Sequence, residues 1–215
     1  MTKKADKKEL IISEYQLYLL RNGEMPVTVF AFCENIDVSE NEFYDHYNSF
    51  KFLEKEIWAS FFNTVKSAIE NDKEYTTFTT HEKVLSFHYT LLELYKQNRS
   101  LVTLRFSELN YQHIRPWFLD HFHNQFKSWT DELLGEAFVK DEIVNRPLVS
   151  DKYCETLWIQ FLYITKVWIN DESDQFQISD AAIEKTGALI FELMKKGPVD
   201  LIVDFIKFAY QNKAY

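Results

Sequence analysis

The stretch Phe32–Leu53, FCENIDVSENEFYDHYNSFKFL, carries the strongest structural signal in the chain. Ser39 is followed three residues later by Glu42. This is the spacing of a capping box, in which each side chain accepts a hydrogen bond from the backbone N–H of the other residue. The pattern predicts a helix from Ser39 to about Tyr47. A short helix that ends near Asn35 precedes it, so the stretch has the outline of a helix-turn-helix.

The second helix of this unit is acidic, although a DNA-reading helix must approach a polyanion. Glu40, Glu42 and Asp45 lie on it, and from Glu9 to Lys55 nine acidic residues outnumber three basic ones. Most of the affinity of a protein for DNA comes from neutralised phosphates and released counterions. If this helix-turn-helix binds DNA, the sequence therefore predicts that it binds weakly.

Composition favours an all-α protein. The 215 residues suit one domain, or one small and one medium domain. Only four glycines and four prolines occur, which argues for long helices and against a sheet with many tight turns. The net charge of −9 disfavours non-specific binding of nucleic acid or of an anionic membrane by the whole surface.

Neither cysteine usage nor hydropathy points to secretion or to a membrane. Cys33 and Cys154 lie far apart in apolar helical patterns, which predicts two buried free thiols in a reducing compartment. No apolar run reaches the roughly 18 residues of a membrane span. The stretch Met1–Gln16 lacks an uninterrupted apolar core followed by a cleavage site, so no signal peptide is predicted. We expect a cytoplasmic protein.

Apolar residues at helical spacing dominate the rest of the chain. The segment Glu74–Thr80 breaks this pattern and is interpreted as a linker, with Thr79 or Thr80 capping the next helix. Gly197-Pro198 separates the last two helices. The predicted helices are Lys7–Asn22, Thr28–Asn35, Ser39–Tyr47 and Ser49–Asn71, and then about 80–97, 101–111, 115–139, 150–171, 179–196 and 199–212.

The first fifty residues resemble the TetR family of transcriptional regulators. Gly23 ends the first predicted helix, and the pattern continues without a gap to Leu53. The matching residues between them are Thr28-Val29, Phe32-Cys33, Asp37-Val38-Ser39, Phe43-Tyr44 and Tyr47. The resemblance implies a three-helix helix-turn-helix head at 1–48, joined by a long connecting helix at 49–72 to a larger helical ligand-binding and dimerisation domain at 73–215. It also implies a homodimer.

Departures from the family pattern fall on the helix-turn-helix. Asp37 replaces the glycine of the turn, but Asp adopts the left-handed conformation more readily than most residues, so the turn is expected to survive. Asn41 and Glu42 replace small residues that approach DNA in the family. Phe50 stands where the family has a lysine, with Lys51 beside it.

The resemblance also implies which residues contact DNA. We expect Tyr44 and His46 to meet phosphates or base edges, Tyr47 to turn into the core of the head, and Lys51 to replace the missing family lysine at a phosphate. The basic residues Lys3, Lys4, Lys7 and Lys8 are interpreted either as an arm over the phosphates or as a solvated terminus. The complete set of candidate DNA-binding residues is Thr28, Ser39, Asn41, Tyr44, His46 and Lys51.

Motifs for enzymatic chemistry are lacking in the sequence. There is no glycine-rich phosphate loop, HExxH, CxxC or nucleophile elbow. His121 and His123 are two residues apart on a predicted helix and point to different faces. We therefore predict no enzyme, no catalytic residues, no metal site and no cofactor.

Aromatic residues of the second domain suggest a hydrophobic ligand. Regulators of this architecture enclose an apolar cavity between these helices, and large rings with polar tips suit its walls. The rings either line such a cavity for a hydrophobic small molecule or lipid, or fill a solid core; the sequence leaves both open. The candidate ligand-binding residues are Phe87, Trp117, Phe122, Trp158 and Phe161.

The helices near 152–170 and 179–196 correspond by order to the pair that forms the dimer interface in the family. Their apolar stripes fit an interface or a core, namely Tyr153, Leu157, Ile164 and Trp168 on the first and Ile183, Ile190 and Met194 on the second. The last helix is apolar on more than half its circumference and should dock against the body or a partner.

Two functions remain open from the sequence. The first is a TetR-like, ligand-responsive transcriptional regulator that binds DNA weakly through its helix-turn-helix. The alternative is a protein of the same fold that binds lipid or another small hydrophobe and no longer recognises DNA. The acidic head and the apolar last helix favour the alternative, and the lipid-binding accessory proteins of ubiquinone biosynthesis, which have a similar fold, provide a precedent.

Overall fold

The computed structural model describes residues 2–109, 114–146 and 149–211, and the secondary structure of this part is helical. The all-α prediction is therefore confirmed. Short 3-10 turns lie at Tyr75–Thr77, Trp117–Leu119, Ser150–Lys152 and Asp174–Phe176. The α-helices are α1 (Thr2–Asn22), α2 (Val29–Asn35), α3 (Glu40–Tyr44), α4 (Phe50–Glu70), α5 (Thr80–Gln97), α6 (Arg99–Ser107), α7 (Asp120–Val139), α8 (Tyr153–Ile169), α9 (Gln177–Met194) and α10 (Pro198–Gln211). Across the described residues, no helix is both long and apolar enough to span a bilayer.

By compactness the chain divides into two units. The first comprises Met1–Ser67 and Thr90–Gln125, and the second comprises Ala68–Tyr89 and Phe126–Tyr215. The first unit thus holds the helix-turn-helix together with α6. The functional division at residues 48 and 72 stays a prediction.

Polar caps fix where several helices begin. The Thr28 hydroxyl accepts a hydrogen bond from Ala31 N at 3.1 Å at the start of α2. Ser49 Oγ accepts one from Phe52 N at 3.1 Å at the start of α4. Thr79, rather than Thr80, caps α5. These side chains satisfy backbone donors that have no partner within the first turn of a helix.

Two helices begin five residues away from their predicted starts. α1 starts at Thr2 instead of Lys7, because the preceding lysine, alanine and aspartate side chains are compatible with a helix. α7 starts at Asp120 instead of residue 115. Pro116 has an extended backbone (φ −59°, ψ 133°), and a 3-10 turn follows it. A residue before proline disfavours the α conformation, so Arg115 cannot open the helix. The predicted end of α6 at 111 lies outside the described residues.

Most aromatic rings form the cores of the two units. In the first unit, Tyr15 stacks on Phe50 with ring centroids 5.5 Å apart, and Phe32 and Phe43 each lie 5.3 Å from Phe50. In the second unit, rings from three helices pack around Phe126, at centroid distances of 5.5–5.8 Å. These rings are Phe87, Trp129, Trp158 and Phe161.

The apolar stripes of α8 and α9 belong to the core of the second unit. Tyr153, Leu157, Ile164 and Trp168 on α8, and Ile183 and Met194 on α9, are buried. Of the predicted stripe residues, Ile190 is half-buried. The exposed large apolar residues of these helices lie on other faces: Ile159 and Tyr163 on α8, and Ile178, Leu189 and Leu193 on α9.

Hydrogen bonds from Arg146 fix the first turn of α10. Arg146, itself buried, donates from Nε to Asp200 Oδ1 at 2.6 Å and from Nη2 to Asp200 Oδ2 at 3.0 Å. It also donates to Tyr153 Oη at 2.8 Å and to the carbonyl of Leu193 at 2.9 Å. The arginine hydrogen bonds lower the pKa of Asp200 to about 2. Beyond this turn, α10 exposes the side chains of Leu201, Ile202, Phe205, Ile206, Phe208 and Tyr210.

Candidate functional site

The turn between α2 and α3 keeps its tight geometry without glycine. Asp37 has a left-handed backbone with φ of 53°, a conformation that aspartate adopts more readily than most residues, as predicted from the sequence. Ile36 N and Val38 N both donate to the Cys33 carbonyl, at 3.2 and 3.1 Å. The left-handed residue thus closes α2 and redirects the chain into α3.

The capping box predicted at the start of α3 is present. Glu42 N donates to Ser39 Oγ at 3.3 Å, and Ser39 N donates to Glu42 Oε2 at 2.9 Å. The helix itself ends at Tyr44 rather than near Tyr47. His46 N and Tyr47 N both donate to the Phe43 carbonyl, at 3.0 and 2.9 Å, in the turn that follows the end of the helix.

The head core decides which side chains of this segment face outward. Phe43 and Tyr47 are buried, as expected for Tyr47, so their rings lie against the head. Tyr44, which follows Phe43 in the chain, is 50% exposed. Asn41 is exposed as well, and His46 is half-buried. Tyr44 and Asn41 are therefore the side chains of the predicted set that α3 presents to solvent.

The remaining predicted DNA contacts already have partners within the protein. The hydroxyls of Thr28 and Ser39 serve as helix caps, and Ser39 Oγ also donates to Glu42 Oε2 at 3.0 Å. Lys51 Nζ lies 5.7 Å from the centroid of the Trp117 ring, which is a cation–π distance. Lys51 is exposed, so its ammonium group remains accessible to a phosphate.

One of the lysines interpreted as an arm is paired with a residue of α3. The Lys7 ammonium forms a short ion pair with Glu42 Oε1. Hydrogen bonds from Lys7 and then from Ser39 lower the pKa of Glu42 to about 2. Lys7 is thus engaged with Glu42, whose charge it compensates. The side chains of Lys3 and Lys4 lie outside the described residues.

A buried ionic cluster connects α1, α4 and α6 within the first unit. Arg105 donates from Nε to Glu54 Oε1 at 2.5 Å and from Nη2 to Glu54 Oε2 at 2.7 Å, while Tyr15 Oη donates to Glu54 Oε2 at 2.7 Å. Their exposed fractions are 7%, 1% and 0% for Arg105, Glu54 and Tyr15. Burial and the neighbouring carboxylate raise the pKa of Tyr15. Burial opposes the charge on Arg105, but Glu54 outweighs it and raises the pKa of the guanidinium.

No local sequence pattern indicates this cluster, because Tyr15 and Arg105 lie 39 and 51 residues away from Glu54. One signal was available in the sequence. Glu54 interrupts the apolar face of α4 between Leu53 and Ile57, and a carboxylate at such a position requires a buried partner. The identity of that partner needs the tertiary structure.

The five predicted ligand-binding aromatics fall in both compact units. Phe87, Trp158 and Phe161 belong to the ring cluster around Phe126 in the second unit. Phe122 is buried in the first unit, where its ring lies 5.5 Å from that of Phe62. Trp117, also in the first unit, is 39% exposed. Their role in binding a ligand stays a prediction.

Two surface pockets lie in the first unit, and neither is lined by these five aromatics. One, of about 380 Å³, lies between α2 and α3 and is lined by Phe30, Cys33, Glu34 and Val38 through Asn41. The other, of about 450 Å³, is bounded by α1, α4, α7 and the segment after α3. Its walls include Lys8, Tyr47, Glu56, His121 and Gln125.

Comparison with known proteins gives one match. A family model described as a tetracyclin repressor-like C-terminal domain matches residues 83–209, which is more than half of the chain. Searches of curated proteins and of solved structures found no match. The matched region covers most of α5 and continues into α10.

Proposed function

Because the chain belongs to the TetR family, we propose that it is a cytoplasmic, ligand-responsive transcriptional regulator that binds DNA through its helix-turn-helix, and binds it weakly. The proposed DNA-contacting residues are Thr28, Ser39, Asn41, Tyr44, His46 and Lys51. A ligand would act by changing the spacing or the orientation of the two heads of a dimer, and so their affinity for DNA.

The observation that carries this proposal is the intact helix-turn-helix. Asp37 closes its turn, and the capping box of Ser39 and Glu42 stabilises the start of its second helix. Asn41 and Tyr44 are left exposed on that helix. An asparagine side chain can form two hydrogen bonds with an adenine edge, and a tyrosine hydroxyl can donate a hydrogen bond to a phosphate. Both residues therefore suit a helix in the major groove.

Weak binding follows from the charges of the head. Glu40 is exposed in the first turn of α3, where it would lie close to phosphates that are not fully screened at physiological salt. Glu42 is compensated, but only by engaging Lys7. Of the predicted contacts, Lys51 is the one permanent cation. Few counterions would therefore be released when the protein binds DNA.

We propose that the homodimer forms through the outward faces of α8 and α9. Their buried stripes are used by the core, but the exposed residues provide a second apolar surface. Ile178, Leu189 and Leu193 recur at helical spacing along α9, and Ile159 and Tyr163 lie one turn apart on α8. Exposed large apolar residues that share one side of a helix suit a protein–protein interface.

One observation favours the alternative function, a lipid- or hydrophobe-binding protein that does not recognise DNA. α10 exposes six large apolar side chains. An apolar surface of this kind marks a site that an apolar partner covers. The acidic head points in the same direction. This alternative predicts no preference for any promoter, even at low salt.

A mobility-shift assay at low salt separates the two functions. The DNA would be the intergenic region that neighbours the gene, with a shuffled sequence of the same composition as control. The regulator predicts a retarded band with the intergenic DNA at lower protein concentration than with the shuffled DNA. Equal or absent binding of both would support the alternative. The matched variant Tyr44→Phe should weaken the specific band, whereas Tyr89→Phe, outside the head, should not.

A further inference from the structure

Most of the residues that line the larger of these two pockets are polar. The pocket has a volume of about 450 Å³, within the range of roughly 300–1,000 Å³ typical of small-molecule sites. α1 contributes Lys8 and Ile12, α4 contributes Glu56 and Ile57, and α7 contributes His121 and Gln125. Tyr47 lies where the head segment after α3 reaches the pocket.

Two buried polar atoms of this pocket have no partner among the described residues. The Tyr47 hydroxyl is one, on a side chain that is 1% exposed, and the Gln125 Oε1 atom is the other. A buried polar atom without a hydrogen bond costs free energy, so a native protein rarely leaves one unless a water or a ligand meets it. Burial raises the pKa of Tyr47 to about 12, so its hydroxyl stays protonated and can donate.

A lysine and a carboxylate line the same pocket. The Lys8 ammonium is exposed and lies 6.0 Å from the centroid of the Tyr47 ring. The Glu56 carboxylate lies 2.7 Å from His121 Nδ1, and both side chains are partly exposed. One cation and one carboxylate therefore border the same space, together with a donor and an acceptor. Ile12, Ile57 and Ala59 provide an apolar portion of the wall.

This combination excludes two common ligand classes. A hydrocarbon or an acyl chain would leave the polar groups of Tyr47 and Gln125 without hydrogen bonds. The free-energy cost of these unpaired groups would exceed the gain from contact with the apolar part of the wall. A multiply charged phosphate would meet Glu56 and would have Lys8 as its one lysine in the pocket. A small zwitterion with a short apolar portion matches all of the groups.

We propose that this pocket binds a free α-amino acid with an uncharged side chain, as an effector site separate from the aromatic clusters. The Tyr47 hydroxyl and Lys8 receive the carboxylate. Gln125 Oε1 and Glu56 receive the ammonium group, and the side chain lies against Ile12 and Ile57. The ligand joins the head, through Lys8 and Tyr47, to α7. Binding itself does not depend on the proposed function, whereas its regulatory consequence does.

Calorimetry on the full chain without DNA tests the binding. The probes are L-leucine, L-methionine, L-phenylalanine and L-glutamine, each at millimolar concentration. For leucine, the matched analogues are isopentylamine, which lacks the carboxylate, and 4-methylpentanoate, which lacks the ammonium group. At least one amino acid should bind and raise the melting temperature, and removal of either charged group should weaken binding by about tenfold or more. If none of the four binds, the pocket holds water alone and the proposal is overturned.

Two substitutions locate the site. Tyr47→Phe and Gln125→Met each remove a proposed ligand contact and keep the shape of the side chain, so each should weaken binding about tenfold. The melting temperature of the unliganded Tyr47→Phe protein should stay the same or rise, because the lost hydroxyl has no protein partner among the described residues. The controls are Tyr210→Phe and Gln97→Met at exposed positions, which should bind as the wild type does. Wild-type affinity in Tyr47→Phe would overturn the assignment.

The regulatory consequence is tested separately by fluorescence anisotropy with intergenic DNA. An amino acid that binds should change the DNA affinity of the wild type and not that of Tyr47→Phe. If the protein binds the amino acid but no DNA, the site stands and the proposed function fails. If it binds DNA but no amino acid, the function stands and the site fails.

Discussion

Replacing Arg105 by methionine should destabilise the protein by about 3–5 kcal/mol, since it leaves the buried Glu54 carboxylate without its cation. Glu54 is 1% exposed and accepts two hydrogen bonds from Arg105 and one from Tyr15. After the substitution only the Tyr15 hydroxyl remains of these three bonds. The predicted loss is a large fraction of the roughly 5–15 kcal/mol that holds a typical domain folded.

Substituting Glu54, the partner of Arg105, separates two contributions to the free energy of unfolding: the cost of one unpaired buried charge and the net contribution of the ion pair. In the double variant Glu54→Leu/Arg105→Met, no charge is left buried, so stability should return to within about 2 kcal/mol of the wild type. The hydroxyl of Tyr15 then lacks its acceptor, which costs about 1–3 kcal/mol, and Tyr15→Phe in the same background should restore that amount. A strong positive coupling between Glu54 and Arg105 is therefore expected.

Urea unfolding followed by circular dichroism measures these free energies, with a double-mutant cycle over Glu54 and Arg105. Arg21→Met, at an exposed arginine of α1, is the matched control and should change stability by less than about 0.5 kcal/mol. The reasoning is refuted if Arg105→Met costs no more than this control. It is also refuted if the loss in the free energy of unfolding of the double variant equals the sum of the losses of the two single variants.

Three further predictions concern other parts of the chain. The double variant Ile159→Glu/Leu189→Glu should give folded monomers by light scattering. The control Val139→Glu, which places a charge at another exposed apolar residue, should leave the dimer intact. If the double variant remains a dimer, the interface lies elsewhere. Hydrogen bonds from Lys7 and Ser39 lower the pKa of Glu42 from an ordinary 4.5 to about 2, so its stabilising effect is present above the ordinary pKa and is lost as the pH falls toward the lower one. Unfolding curves over this acid range should be less pH-dependent for Glu42→Gln, and an unchanged dependence would contradict the ion pair. Burial and the hydrogen bond to Asp131 raise the pKa of Cys154 to about 12, so this thiol should resist a disulfide reagent at mildly alkaline pH until the protein unfolds. Rapid labelling of Cys154 in the folded protein would show that it is accessible.

Local chemistry made the head predictable from the sequence. The box formed by Ser39 and Glu42, the cap at Thr28 and the left-handed residue at Asp37 depend on neighbours within a few residues, and the structure contains all three. The same holds for α5, whose predicted range of 80–97 is the observed one. Capping patterns are short and specific, so they fix helix starts better than composition does.

Long-range packing was not predictable in the same way. Both sides of α8 carry apolar residues, so periodicity alone could not separate the buried Leu157 from the exposed Ile159. The pairing of Lys7 with Glu42, and of Lys51 with Trp117, joins residues that no local pattern connects. The pocket beside Tyr47 likewise draws its polar groups from elements far apart in the sequence.

The salt dependence of binding to intergenic DNA, measured by fluorescence anisotropy for the wild type and for Glu40→Gln, tests the proposed function most directly. Each neutralised phosphate contributes about −0.9 to the slope of log K against log salt, and one lysine, Lys51, in each of two heads predicts a slope of about −2. The Glu40→Gln variant should bind more tightly, because it removes an exposed carboxylate next to the phosphates. The account predicts this shallow slope together with a preference for the intergenic over the shuffled DNA. Binding of neither DNA at low salt, or nanomolar binding at physiological salt that Glu40→Gln leaves unchanged, would contradict it.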